Sequence, residues 1–152
     1  MNTSHVFHEI YLHIIWHVKY DKATLKDNIE KLTHRFLIER CAKTKGVTLH
    51  GLGGTDTHIH LAVDIEPAVT ISDLVKNLKG GSSHDLNTEL RRKELQWQRG
   101  YGVVSFGRKN LPWVLEYIAN QRQHHAAGTA QVRLENAGDC DDGYEEDEGF
   151  QG

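Results

Sequence analysis

The stretch from residue 57 to residue 65, THIHLAVDI, alternates between apolar side chains and polar or small ones. Such alternation is typical of a β-strand that presents two different faces. One face carries the apolar residues Ile59, Leu61, Val63 and Ile65. Side chains two positions apart point the same way, so His58 and His60 lie together on the opposite face.

Similar patterns on both sides of this strand predict the order of elements. Strands are predicted at residues 9–19, 47–52, 57–65 and 101–106, and helices at 25–45, 70–92 and 111–125. The second helix is expected to pause or bend at Gly80-Gly81. The order β-α-β-β-α-β-α predicts an α+β fold, a ferredoxin-like split βαβ antiparallel sheet with an extra C-terminal helix. Two helices cover one face of that sheet, and the strand at 9–19 lies beside the strand at 57–65.

The chain of 152 residues divides by charge into a domain, residues 1–129, and a tail, residues 130–152. Residues 1–128 contain 17 Lys and Arg against 13 Asp and Glu, whereas residues 129–152 contain one Arg and eight acidic residues. A segment with so much like charge and so little apolar surface is expected to be disordered. The mildly basic domain permits a polyanionic partner but does not establish one.

Composition excludes several classes of protein. No apolar run approaches the about 18 residues that a membrane span needs. The N-terminus lacks the basic and apolar pattern of a secretory signal, and Cys41 and Cys140 are the only cysteines and lie far apart. We therefore expect a cytoplasmic protein with free thiols and no membrane partner.

Two groups of side chains are candidates for a chemical site. His58 and His60 can share one divalent cation, although two surface histidines in a chain with 11 are the plainer alternative. On the last helix, Tyr117 and Gln121 are four residues apart and lie on one flank. Tyr117 is either a half-buried core tyrosine or a phenol directed at the cation, with the Gln121 carbonyl as a third ligand.

Together these groups suggest phosphoryl chemistry. A phenol with a pKa of about 10 is a weak nucleophile at neutral pH, but it can attack phosphorus when a metal polarises the phosphate. The product is a phosphotyrosine ester that conserves the energy of the phosphodiester bond. This is the chemistry of cutting and rejoining DNA without ATP.

The residues that carry these groups resemble a known family. The segments are YLHIIWHVKY at 11–20, GLGGTDTHIHLAV at 51–63, ISDLVKNLKGGSS at 71–83, WQRGYGVVSFG at 97–107 and VLEYIANQ at 114–121. They are similar to the single-tyrosine (HUH) transposases of the insertion-sequence-200-like family and to their REP-associated tyrosine transposase relatives. The resemblance covers about residues 8–127.

The resemblance implies a role for each matching position. His58, His60 and Gln121 would bind Mg²⁺ or Mn²⁺, and Tyr117 would form a 5′-phosphotyrosine and release a 3′-hydroxyl. The substrate would be single-stranded DNA with hairpin ends, and the protein would be a homodimer. Members often carry Thr-Lys-Tyr-Arg near the end of the first strand, where this chain has His-Val-Lys-Tyr-Asp at 17–21. The acidic tail also departs from a DNA-binding enzyme's usual basic end.

Further side chains are candidates for DNA contacts. Lysine and serine side chains near Gly80-Gly81 are candidate phosphate contacts, or else belong to a solvated helix end. The arginines of the following basic cluster are likewise candidate contacts, or else form a charged surface. These residues are Lys76, Lys79, Ser82, Ser83, Arg91 and Arg92. Trp97 and Tyr101 are expected either to stack on bases or, more commonly, to pack in the core.

Four other side chains are candidates for the cation site. Tyr101 is a rival nucleophile that ranks below Tyr117. His13 and His17 share the polar face of the first strand, either as surface residues, which is slightly favoured, or near the cation. His124 and His125 lie close enough to Gln121 to enter the metal shell.

Three functions remain open on the sequence. The first is a metal-dependent single-stranded DNA transposase and endonuclease that works through Tyr117. The second is a non-catalytic hairpin or single-strand binding module derived from such an enzyme. The third is a ferredoxin-like protein that binds a metal or a small molecule and has no connection with DNA.

Overall fold

A computed structural model describes residues 6–138 and 142–145 of the chain. It contains all of the expected elements, and the last helix is divided in two. The strands are β1 (Tyr11–His17), β2 (Val47–Gly54), β3 (His58–Ile65) and β4 (Gly102–Phe106). The helices are α1 (Asp27–Lys43), α2 (Ile71–Leu90), α3 (Leu111–Ala119), α4 (Gln121–Ala127) and the short α5 (Val132–Glu135).

The four strands form one antiparallel sheet in the order β2-β3-β1-β4. This is the order of a ferredoxin-like split βαβ fold, as predicted. β1 pairs with β3, so that Ile15 lies opposite His60 and His17 lies opposite His58. The pairing brings the polar face of the first strand beside the paired histidines.

The two faces of the sheet have separate coverings. On the first face, the apolar side chains of β1 and β3 pack with α1 and α2 in the main core, which includes Ile14, Trp16, Ile59 and Leu61, all 0% exposed. On the second face, Ala62 packs with Val114 and Ile118 of α3. The helices after β4 therefore cover the face that carries the histidines.

Helix α2 runs without interruption from Ile71 to Leu90, so the expected break at Gly80-Gly81 is wrong. Gly81 lies against α1, because a Cβ there would approach the Arg40 side chain to 2.5 Å. The glycine therefore serves the close packing of two helices, and the surrounding helical hydrogen bonds hold it in a helical conformation despite its low propensity.

Two glycines on β2 let α3 approach the sheet. A Cβ on Gly53 would lie 2.6 Å from the backbone oxygen of Ile118, and one on Gly51 would lie 2.5 Å from Leu115 Cδ2. Because Gly53 pairs with His60 on β3, this contact sets the distance between the end of α3 and the histidine strand.

Part of the segment that was expected to be disordered lies against the domain. Leu134 and Tyr144 are buried, and Asp142 Oδ2 lies 2.5 Å from the Nζ atom of the buried Lys79. Two buried side chains and an ion pair thus bring residues 130–138 and 142–145 against the domain. The rest of the tail, residues 139–141 and 146–152, lies outside the described residues, and the boundary at 129/130 stays a prediction.

Within the described residues, no helix has the length and apolar character required to cross a membrane.

We predict opposite effects for two Gly→Ala substitutions. Gly53→Ala should destabilise the fold by about 1–3 kcal/mol, because its Cβ meets the backbone of α3, which no rotamer change can relieve. Gly80→Ala should be neutral or stabilise by up to about 1 kcal/mol, since a Cβ at this helical position meets nothing within 4 Å. Urea unfolding measures both free energies. Equal stability of the two variants would contradict this account of Gly53.

Candidate active site

The paired histidines of β3 are enclosed by the protein. His58 is 3% exposed and His60 is 0% exposed, with their ring centroids 5.0 Å apart. They face α3, α4 and α5, because Ile59 and Leu61 occupy the opposite face of the strand. The surface-histidine alternative is therefore wrong for this pair.

Neighbouring groups hold the two rings in place. His58 Nδ1 lies 2.9 Å from Thr55 Oγ1 and 3.1 Å from Thr57 Oγ1, and His60 Nδ1 lies 2.7 Å from His13 Nε2. In each ring Nδ1 is thus engaged by a neighbour, and Nε2 points toward the covering helices. A proton placed on each Nδ1 leaves both Nε2 lone pairs available to a ligand.

Burial keeps these imidazoles neutral. It lowers the pKa of His58 to about 4, and the nearby His60 adds to this effect. Burial also lowers the pKa of His60, and burial together with His60 lowers the pKa of His13 to about 3. Neutral imidazoles are the form that binds metal ions.

His13 and His17 both lie beside the pair, so the slightly favoured surface position is wrong for His13. His13 is 1% exposed and contacts His60 directly. The His17 ring stacks on His58 with a centroid distance of 5.0 Å, and His17 Nδ1 lies 2.7 Å from Asp21 Oδ1. The antiparallel register of β1 and β3 brings all four rings together on one face.

Gln121 lies at the position expected of a third ligand. Its Oε1 atom is 3.2 Å from His58 Nε2, and its Nε2 atom donates to the Tyr117 carbonyl over 3.2 Å. The single long helix that was predicted here is interrupted, because α3 ends at Ala119 and the backbone of Asn120 (φ −107°, ψ 27°) leaves the helical region. Gln121 therefore opens a second helix, α4, and remains 1% exposed beside the imidazoles.

Tyr117 lies at the same site, in the same protomer. Its ring centroid is 6.0 Å from that of His60, and the residue is 2% exposed. The hydroxyl accepts the Gln131 N–H over 2.9 Å and donates to Glu135 Oε2. Burial, followed by the hydrogen bond to Glu135, raises the pKa of the phenol. The predicted nucleophile and the imidazole pair thus converge, with a tail residue between them.

Glu135 is the site residue that sequence reasoning missed. Its Oε1 atom lies 3.4 Å from His58 Nε2, 3.3 Å from His60 Nε2 and 3.0 Å from His125 Nε2. His125 thus lies in the cluster, whereas His124 instead packs on the Tyr117 ring with a centroid distance of 4.8 Å. Glu135 was assigned to the acidic tail by composition, and only the apolar Val132 and Leu134 beside it hinted at a docked helix.

The donor set fits a divalent cation. His60 Nε2 is buried and has no hydrogen-bond partner in the part of the chain that the structure describes. Around an ion with bonds of about 2.1 Å, adjacent ligand atoms lie about 3 Å apart, and these imidazole, amide and carboxylate atoms have contacts of 3.0–3.4 Å. Imidazole nitrogens together with amide and carboxylate oxygens are common ligands of divalent metal ions.

Trp97 and Tyr101 pack in the core, the more common of the two expected alternatives. Trp97 is 1% exposed and donates its indole N–H to Ser82, so base stacking by Trp97 is ruled out in this conformation. Tyr101 packs against the main core, away from the imidazoles. The exposed tryptophan is Trp113, which is 52% exposed and stacks on Tyr117 with ring centroids 5.5 Å apart and planes at 9°.

The six predicted DNA contacts fall into two groups. Lys76, Arg91 and Arg92 are exposed, and their role stays a prediction. The remaining three are each 0% exposed, which corrects their assignment as direct phosphate contacts; they are Lys79, Ser82 and Ser83. The Lys79 ammonium donates to the carbonyls of Gln98 and Gly100, because the chain before β4 folds over α2.

The sequence profile of the IS200-like transposases matches residues 6–121, which is most of the chain. The chain belongs to the IS200-like transposase family. It is 28% identical over 123 residues to the transposases for insertion sequence element IS200 of Salmonella typhimurium and of Salmonella typhi, and the match covers 76% of this chain and 79% of each relative.

Two solved structures share the fold of this family member. One is a candidate transposase from Deinococcus radiodurans R1, with a TM-score of 0.61 and 24% identity over 80% of this chain and 98% of that one. The other is a REP-associated tyrosine transposase bound to a REP hairpin, with a TM-score of 0.58 and 10% identity over 86% of this chain and 76% of that one.

We predict that this transposase loses stability as the pH is lowered from 7 to 5. The pKa values of buried His13, His58 and His60 are depressed below the ordinary value of about 6.5, so protons bind first to the unfolded chain. The free energy of unfolding in EDTA, measured with urea, should fall by about 2 kcal/mol or more. A constant or rising value on acidification would contradict the burial of neutral imidazoles.

Proposed function

We propose that this protein is a metal-dependent transposase and endonuclease that cleaves and rejoins single-stranded DNA through a 5′-phosphotyrosine on Tyr117. The observation that carries the proposal is the position of one carboxylate. Glu135 contacts the Tyr117 hydroxyl with one oxygen and the His58 and His60 imidazoles with the other. A single oxyanion can therefore reach both the nucleophile and the predicted ligands, as a scissile phosphate must.

The residues have distinct roles in the proposed reaction. His58, His60 and Gln121 hold Mg²⁺ or Mn²⁺, which polarises the phosphate when bound and supports in-line displacement. Tyr117 loses its proton and its oxygen forms a bond to phosphorus, while the bond from phosphorus to the 3′ oxygen breaks. The 3′ oxygen gains a proton and leaves as a hydroxyl. Attack by a 3′-hydroxyl reverses these steps and rejoins a strand.

Single-stranded DNA with hairpin ends is the proposed substrate. The support is the family, whose structural neighbour was solved with a REP hairpin, and the exposed cations Lys76, Arg91 and Arg92. The homodimer implied by the resemblance is also part of the proposal. Tyr117 lies beside His60 within a single chain, so a dimer is not needed to bring the two together. Light scattering would test the dimer directly.

The central experiment follows the covalent adduct. Hairpin oligonucleotides labelled on either side of the cleavage point are incubated with Mn²⁺ and separated on a denaturing gel. We expect the 5′-phosphate fragment to attach to the wild-type protein and to Tyr101→Phe, but not to Tyr117→Phe or His58→Ala. Tyr101→Phe is the control because it removes the rival phenol in the core.

Two results would contradict this prediction. If Tyr117→Phe still forms the adduct, Tyr117 is not the nucleophile. The second result has two parts: His58→Ala still binds the hairpin, and neither the wild-type protein nor variants of Glu135 form an adduct with Mg²⁺ or Mn²⁺. That result would favour the non-catalytic binding module.

We also predict that Trp113 reports on DNA binding. Its indole is 52% exposed beside Tyr117, whereas Trp16 and Trp97, the other tryptophans of the chain, are 0% and 1% exposed. A base near the cleavage point can stack on this ring, and such stacking contributes about 1–3 kcal/mol.

Fluorescence titration with single-stranded hairpin DNA tests this position. Tryptophan emission should be quenched in the wild-type protein, and Trp113→Phe should remove most of the quenching. Trp113→Ala should weaken binding about 10-fold. Equal quenching in Trp113→Phe would place the bound strand elsewhere.

A further inference from the structure

The segment after α4 passes directly over the proposed nucleophile. The Gln131 N–H bonds to the Tyr117 hydroxyl, Leu134 is buried, and Glu135 points into the imidazole cluster. We call residues 130–135 the covering segment. It lies outside the part of the chain that the family profile matches, which ends at residue 121.

The Oε1 atom of Glu135 lies among three imidazoles. It is 3.0–3.4 Å from the Nε2 atoms of His58, His60 and His125, and it forms a hydrogen bond with His125 Nε2 at 3.0 Å. His60 Nε2 forms no hydrogen bond with any described residue. Protonation of His58 and His60 at Nδ1 leaves their Nε2 lone pairs facing this carboxylate oxygen, and a cation shared by these atoms replaces the repulsion with coordination.

The position of Glu135 also fits a metal ligand. Its side chain is 17% exposed, and His58, His125 and Glu135 each offer one ligand atom within 4.8 Å of the others.

We propose that Glu135 is a ligand of the divalent cation in the DNA-free protein and occupies the place that the scissile phosphate takes during cleavage. The proposal rests on the metal-dependent function proposed above and describes how the same site is regulated. One carboxylate oxygen takes the position of the phosphate oxygen at the ion. The other lies at the Tyr117 hydroxyl, where phosphorus would have to approach.

In this arrangement Glu135 has opposite effects on metal binding in the DNA-free protein and on cleavage of bound DNA. In the absence of DNA, Glu135 strengthens metal binding and covers the nucleophile. For cleavage, the phosphodiester must displace Glu135 and the covering segment must move away from Tyr117. Removal of the carboxylate should therefore weaken metal binding and, at saturating metal, speed formation of the adduct.

The first measurement is calorimetric titration of the full-length, DNA-free protein with Mn²⁺. Glu135→Gln keeps the size of the side chain but removes its charge, and should weaken Mn²⁺ binding at least about 10-fold. Glu135→Asp keeps the charge on a shorter stem and should bind with intermediate affinity. Glu145→Gln is the matched control, because it removes one exposed charge from the same acidic segment and should bind like the wild type.

The second measurement is the rate of adduct formation with hairpin DNA at saturating Mn²⁺. Glu135→Gln should react several-fold faster than the wild type and Glu145→Gln at the wild-type rate. Circular dichroism in EDTA confirms that each variant is folded, and Glu135→Asp supplies the comparison if Glu135→Gln is not.

The outcomes separate this proposal from the proposed function. The role of Glu135 would be overturned if folded Glu135→Gln bound Mn²⁺ as tightly as the wild type. It would also be overturned if Glu135→Gln formed the adduct more slowly than the wild type at saturating Mn²⁺. Weakened Mn²⁺ binding in the Glu135 variants, together with no adduct from any protein, would support Glu135 as a ligand and count against strand cleavage. Tight Mn²⁺ binding that depends on Glu135 and a faster adduct without it would support both.

Discussion

The antiparallel pairing of β1 with β3 is the constraint on which the site depends. It sets His17 opposite His58 and brings His13 Nε2 to within 2.7 Å of His60 Nδ1. A slip of one residue would turn these rings into the main core and expose apolar side chains, so the register is fixed by the burial of residues such as Ile14 and Ile59. The alternation that builds the core on one face therefore also assembles the histidines on the other.

Burial of the imidazoles then determines their chemistry. α3 can cover them closely because β2 is built from glycine where the helix passes, as at Gly53. Removal of water holds the rings neutral, and their Nδ1 atoms are engaged by neighbours, which leaves Nε2 as the reactive atom. α3 carries Tyr117 and leads through Asn120 directly into α4, whose first residue is Gln121, so the packing of α3 on the sheet positions both candidate residues.

Local periodicity was sufficient to predict the fold and to place the candidate site residues on faces that meet. Strand alternation identified His58 and His60, and the helical spacing of Tyr117 and Gln121 survived even though the helix breaks at Asn120. Lys79 could not be placed in this way, because a lysine in a helix pattern gives no indication that its ammonium will be buried against carbonyl groups. Trp113 was missed for the opposite reason, since an aromatic residue near an apolar stripe is usually buried.

The position of the tail was hidden by its average composition. Its anchors are single side chains, Leu134 and Tyr144, within a segment dominated by charge. One indication was available in the domain itself, because a Cβ on Gly102 would lie 1.8 Å from the backbone oxygen of Asn136. A glycine at the start of a strand leaves room for another backbone to cross, although the sequence does not say which one.

Two carboxylates of the tail dock on the domain in contrasting electrostatic settings. Asp142 meets the buried ammonium of Lys79, so that pair is neutral as a whole and its docking needs no further ion. Glu135 instead meets three imidazoles and the Tyr117 hydroxyl, the place that we propose a cation and a phosphate share during cleavage. The first contact ties the tail to the domain whether or not a metal is present. Under the proposal, displacement of Glu135 would expose Tyr117 while the ion pair between Asp142 and Lys79 stays in place.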